Sequence, residues 1–200
     1  MVRKLKTAEE ILKEETGEIR SFNAFETWLV AAIAICWALF QLSLASWFIL
    51  DSTSTRAVHL AFAISLLFLH IPFFKKPKPF LKFLSKTDGI PIIDYLLAAA
   101  GVASALYIMI DMEGLAMRMG MPSTRDIVFG LVILVLLLEA TRRSIGPALT
   151  ITALVFTAYA FAGPYMPMFM AFKGTSVTKY ITQISLSTEG IYGIPLGVSA

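Results

Sequence analysis

The chain has 200 residues, of which 57% are hydrophobic and 16% charged, and its mean hydropathy is +0.74; so few charges cannot clothe a soluble surface. Its 17 basic and 14 acidic residues leave a formal charge of +3 and stand in clusters between long charge-free stretches, the pattern of a polytopic membrane protein. The single cysteine, Cys36, excludes an intrachain disulfide and a cysteine-based metal site, and the lack of a Gly-rich phosphate loop or of aromatic-basic interleaving argues against a nucleic-acid partner.

The first six residues are basic, but Glu9, Glu10, Glu14, Glu15 and Glu18 occupy the place of an apolar signal region, so a cleavable signal peptide is not expected. Leu5, Ala8, Ile11, Leu12 and Ile19 recur at helical spacing, which suggests an amphipathic helix on the membrane surface, with a solvated charge run as the alternative. The first charge gap, Thr27 to Leu50, holds 24 residues and makes span one. Span two is the 18-residue gap from Ala57 to Phe74. Span three reaches from near Ile90 to Ile110 around Asp94, and span four has only the 12 residues from Ile127 to Leu138 before Glu139. A fifth helix is expected from about Pro147 to Phe161, ended by Gly163-Pro164. Spans four and five cannot be one helix, because the run from Ile127 to Phe161 is about 52 Å long against a hydrocarbon core of about 30 Å. A tight turn over Ser144-Ile145-Gly146-Pro147 is therefore expected. After Glu189 come eleven charge-free residues, too few to cross a bilayer, which read as a sixth span cut short, with a re-entrant stub as the alternative. The expected fold is an all-α polytopic membrane helix bundle of about five transmembrane helices and a truncated sixth.

With the N-terminus in the cytoplasm, twelve Lys and Arg residues fall on the inner side and five on the outer, a positive-inside bias. The inner group includes Lys75, Lys76, Lys78, Lys82 and Lys86, a lysine-rich loop suited to an anionic leaflet.

Ionisable residues within spans are the default functional candidates. His59 and His70 share a helical face about 16 Å apart, too far to ligate one metal, and read as interfacial hydrogen-bonding groups ahead of transport groups. Asp94 follows Gly89-Ile90-Pro91 in the first turn of span three, where free N–H groups and the helix dipole favour a carboxylate; an ion site is the other reading. Glu139 and Arg143 stand at i and i+4, which suggests an internal ion pair with Arg142 and Arg143 anchored to headgroups. The alternative makes Glu139, Arg142 and Arg143 a contact with a neighbouring helix or a lipid. No nucleophile-base set, paired span carboxylates or His-rich metal spacing points to an enzyme or to a bound cofactor.

Five segments occur in an order that resembles a known family: Arg56-Ala57-Val58-His59-Leu60, Arg118-Met119-Gly120-Met121-Pro122-Ser123, Glu139-Ala140-Thr141-Arg142-Arg143, Gly163-Pro164, and the run from Ser187 to Ala200. Together they look like the fused permease of tripartite ATP-independent periplasmic (TRAP) transporters of the TAXI type, in which a small Q-like and a large M-like membrane subunit form one chain. The resemblance covers about Phe40 to Ala200. It implies four regions: a cytoplasmic segment (1–25), a four-helix Q-like scaffold (26–144), a connector helix and outer loop (145–188), and the start of the M-like transport domain (189–200). It further implies a secondary active transporter of organic anions, usually carboxylates, in a bacterial inner membrane. Its partners would be a periplasmic solute-binding protein and the large M-like subunit, with sodium as the coupling ion bound outside these residues. Arg118 and Arg125, on the outer side, are candidate docking residues for the binding protein; ordinary loop charges or a structural Arg118–Asp126 contact are the alternative. The competing function is a stand-alone accessory subunit that assembles with a separately encoded transporter.

Overall fold

A computed structural model describes residues 20, 22–47, 49–73, 89–118 and 120–199. The regular elements among them are helical: α1 (Ala24–Ser46), α2 (Ser52–His70), α3 (Ile92–Ile110), the short α4 (Met112–Met117), α5 (Thr124–Ser144), α6 (Pro147–Ala162) continuing into a 3-10 turn (Gly163–Tyr165), α7 (Val177–Ser185) and α8 (Ile194–Ser199). The surface helix expected before Arg20 and the lysine-rich loop lie outside the described residues.

Helices α2 and α5 begin where side chains satisfy their free N–H groups. Asp51 caps α2 by accepting from the Ser54 N–H at 2.9 Å, and Ser123 and Asp126 form a reciprocal capping box at the start of α5. The expected tight turn between α5 and α6 forms: Gly146 takes φ 114°, open to glycine but strained for other residues, and Pro147 then opens α6.

Among the described residues, four segments are long and apolar enough to cross a membrane: α1, α2, α3 and Pro147–Tyr165. The fourth apolar stretch lies within α5, which runs for 21 residues and carries Glu139 as expected, but α5 is not among these four. It continues through Glu139, Arg142 and Arg143, whose charges are paired with one another and with neighbouring elements. The last charge-free stretch makes a turn from Gly190 to Gly193 and then the six-residue α8.

The core lies between α2, α3 and α5. Ala57, Leu60, Ala61, Ile64 and Phe68 of α2 are buried against Ala98, Ala105 and Ile108 of α3 and Ile133, Leu136 and Ala140 of α5. Close approach of α2 and α3 depends on Gly101, where an added Cβ would collide with the Ile64 side chain. Tyr192 enters the same core from the C-terminal side, fully buried, its hydroxyl donating to the Ala105 carbonyl at 3.0 Å. Helices α1 and α6 flank this core: α1 buries only Glu26, and α6 buries no residue. Their outer faces present Trp28, Ile35, Leu39 and Leu42, and Ile151, Leu154, Val155 and Phe156, surfaces suited to hydrocarbon.

Candidate functional site

Charged groups in the bundle gather at its two ends. At the first end the start of α1, the end of α2, the start of α3 and the end of α5 meet. Asp94 sits in the first turn of α3 with its side chain fully buried. Its Oδ2 accepts from Arg20 Nη2 at 2.6 Å, and its Oδ1 accepts from Arg143 Nη1 at 2.9 Å. Arg143 also donates through Nε to Glu139 Oε1 at 2.7 Å. Arg142 grips the same carboxylate with two bonds, Nε to Oε2 and Nη2 to Oε1, both 2.7 Å. The result is a continuous chain of charge: Arg20, Asp94, Arg143, Glu139, Arg142.

The chain has a structural logic beyond its ion pairs. A helix ends with carbonyls that have no partner inside it, and its C-terminus carries partial negative charge. Where α2 ends, three carbonyls each receive a guanidinium: Leu69 in the last helical turn from Arg20 at 3.1 Å, and, in the segment that leaves the helix, Ile71 from Arg143 at 3.2 Å and Phe73 from Arg142 at 3.1 Å. The rings of Phe68 and Phe73 lie against the guanidiniums, with Arg143 4.8 Å from the Phe68 centroid and Arg142 4.6 Å from that of Phe73. Asp94 and Glu139 thus hold arginines in place to finish α2. Close by, Glu26 of α1 accepts from the Ile90 N–H at 2.7 Å and ties α1 to the entrance of α3.

At the opposite end Asp126 is the centre. It is fully buried and accepts from the Tyr107 hydroxyl, from Arg118 Nε at 3.1 Å and Nη2 at 3.0 Å, and from the Ser123 N–H at 2.7 Å. Arg118 Nη2 also pairs with Asp111, so one guanidinium joins the end of α3 to the start of α5. Hydrogen bonds to Asp126 and then to Asp111 hold the Arg118 pKa above the ordinary arginine value. Nearby, Arg56 donates to the Tyr192 carbonyl at 2.8 Å and locks the C-terminal turn onto α2.

Between the two ends, His59 Nδ1 lies 2.8 Å from Gln41 Nε2, and Trp37 meets its ring edge-on at 5.0 Å. The amide can only donate, so the imidazole accepts at Nδ1 and carries its proton on Nε2. His59 therefore joins α1 to α2 by a hydrogen bond within the bundle, whereas His70 is exposed and packs on Phe22.

Four of the seven residues singled out from sequence, Asp94, Glu139, Arg142 and Arg143, meet in one cluster; His59 and Arg118 do not join it. Arg125 is exposed and has no ion pair among the described residues. Two readings need correction. Asp94 does not cap the backbone of α3, since its carboxylate oxygens are taken by two arginines. Arg143 is no headgroup anchor, because its side chain is fully covered, whereas Arg142 remains 32% exposed. Sequence reasoning missed Arg20 and Tyr107. Arg20 lies 74 residues from its carboxylate in a run of mixed charge, so no local spacing points to it. Tyr107 stands one helical turn before Asp111, a weak signal.

Among the described residues no group of three or more His, Cys, Asp or Glu side chains is placed to hold a metal ion. Set against protein-family models, curated proteins and solved structures, the chain matches none.

Proposed function

We propose that this chain is the scaffold portion of a secondary active, solute-binding-protein-dependent uptake transporter for organic anions, of the TRAP type. The observation that carries the reading is the charge chain from Arg20 to Arg142. A scaffold must stay fixed while a neighbouring domain moves, and here the buried charges engage one another and the end of α2. Such a network favours one arrangement of helices, because parting Asp94 from Arg20 or Arg143 leaves a charge buried without its partner. The order of the five sequence segments named above supports the same reading.

On this proposal the end bearing Arg20, Arg142 and Arg143 faces the cytoplasm of a bacterial inner membrane, α5 crosses the membrane as a further span, and the large M-like subunit packs beside the bundle. A sodium ion would drive uptake from a site in that subunit, and carboxylates would arrive on a periplasmic binding protein. Because Arg118 is engaged by Asp111 and Asp126, Arg125 is the better docking candidate of the two.

The test begins with the reading frame beyond Ala200. In-frame continuation into many more apolar spans supports the fused permease, whereas a stop codon supports the stand-alone accessory subunit. Cells carrying the complete system are then assayed for uptake of labelled mono- and dicarboxylates under a sodium gradient. Uptake that persists when this chain is deleted refutes both readings. A reporter fused near Lys78 checks the orientation, and its appearance outside the cell membrane overturns it.

A further inference from the structure

The charge chain begins and ends on a cation and sets three guanidiniums against two carboxylates. Glu26, another carboxylate at this end, accepts from the backbone N–H groups of Asn23 and Ile90 and stays outside the chain. Two buried guanidinium nitrogens, Arg20 Nε and Arg143 Nη2, have no hydrogen-bond partner among the described residues. The five-residue chain therefore holds one guanidinium more than carboxylates, Glu26 being the remaining carboxylate at this end, and it has donors that no acceptor among the described residues satisfies. A buried donor without an acceptor is unfavourable and favours an added one.

That excess has an outlet. Arg142 is the most open member of the chain, 32% exposed against 19% for Glu139 and none for Arg20, Asp94 or Arg143. Its plane is fixed by Glu139, by the Phe73 carbonyl and by the Phe73 ring, so little conformational freedom remains to be lost on binding. It lies where α2 and α5 end and α3 begins, the level of lipid headgroups for helices that cross a bilayer.

From this geometry we infer that Arg142, backed by Arg143, forms a phosphate-binding site that takes the headgroup of an anionic phospholipid. A planar guanidinium suits phosphate oxygens, and a phosphodiester there supplies the counter-charge that the five-residue chain lacks. The inference does not depend on the transport reading; it follows from the bundle itself.

The test uses the full chain purified in neutral detergent, with native mass spectrometry and thermal unfolding in three arms: phosphatidylglycerol, phosphatidylcholine and inorganic phosphate. Phosphatidylglycerol is expected to be retained about fivefold over phosphatidylcholine and to raise the melting temperature. Arg142→Gln should bring retention of the two lipids to parity, while Lys179→Gln, an equal charge loss on exposed α7, should leave the preference intact. Because Arg142→Gln also loosens Glu139, Arg142→Lys serves as the second variant: it keeps the charge and should keep a measurable preference. A rise with inorganic phosphate matching that with phosphatidylglycerol assigns the same site to free phosphate. Equal retention of both lipids with no response to phosphate, or an undiminished preference in folded Arg142→Gln, overturns the inference.

Discussion

Replacing Asp94 with asparagine keeps the shape of the side chain, removes its charge and turns one acceptor atom into a donor. In the folded protein the two side-chain atoms face one guanidinium donor each, Arg20 at 2.6 Å and Arg143 at 2.9 Å, so the new donor meets a donor whichever way the amide turns, and Arg20 and Arg143 are left with 0% exposed side chains. Removing one partner of a buried pair costs about 3–5 kcal/mol. For a chain of this size, each kcal/mol moves the melting temperature by about 2–4 °C, so Asp94→Asn should melt about 6–20 °C below the parent. Had Asp94 only complemented the dipole of α3, the loss would be about 0.3–1 kcal/mol. The assay is thermal unfolding in detergent, followed by far-ultraviolet circular dichroism. Adding Arg20→Met to Asp94→Asn separates the two accounts further. On the ion-pair account the second change removes an uncompensated cation and recovers stability, while on the dipole account it brings no recovery. A loss near 1 kcal/mol with no recovery on adding Arg20→Met would refute the reasoning.

Gly101→Ala places a methyl group against Ile64 and should destabilise by about 1–3 kcal/mol, with partial recovery on adding Ile64→Val, both read by thermal unfolding. Tyr192→Phe removes one buried hydrogen bond to Ala105 and should cost about 1 kcal/mol, whereas Tyr192→Ala empties the site and should cost about 3–5; equal effects would show that the ring contributes nothing. Hydrogen bonding from Ser54 holds the Asp51 carboxyl below its ordinary value of 3.8. The cap therefore stabilises α2 in full above that value and loses its effect as the pH falls through the lowered one, so the melting curves of the parent and of Asp51→Ala should differ at neutral pH and converge in acid. Arg118→Gln should lower the melting temperature, because buried Asp126 keeps only its Tyr107 and Ser123 partners.

Charge gaps located α1, α2, α3 and α6 because a long apolar run and a helix that suits a bilayer are the same physical object. A charge gap alone leaves only 12 residues for the fourth span; the helix reaches 21 because Glu139, Arg142 and Arg143 find tertiary partners that let it run through them to the turn at Ser144. The Glu139–Arg143 contact was legible, since i and i+4 positions share a helix face. The Asp94 partners were not: Arg20 and Arg143 lie 74 and 49 residues away, and single-chain spacing carries no signal at that separation. For the same reason the insertion of Tyr192 between α2 and α3 had no sequence precursor beyond its position between Gly190 and Gly193. Ser144 to Pro147 was legible as a turn because Gly and Pro act locally.

The three arginines that finish α2 also impose an order on the making of the protein. Synthesis runs from the N-terminus, so Arg20 exists before the Leu69 carbonyl it serves and long before Asp94. When Asp94 leaves the ribosome one counter-charge is already waiting, and the α2–α3 hairpin does not enter lipid with a naked carboxylate at its base. Arg142 and Arg143 arrive last, and only with them do the carbonyls of Ile71 and Phe73 gain their donors. Arg20 is thus a chaperone in cis for an acid that its final partner reaches only later, and its loss should be felt in the yield of inserted protein as well as in the stability of the folded bundle.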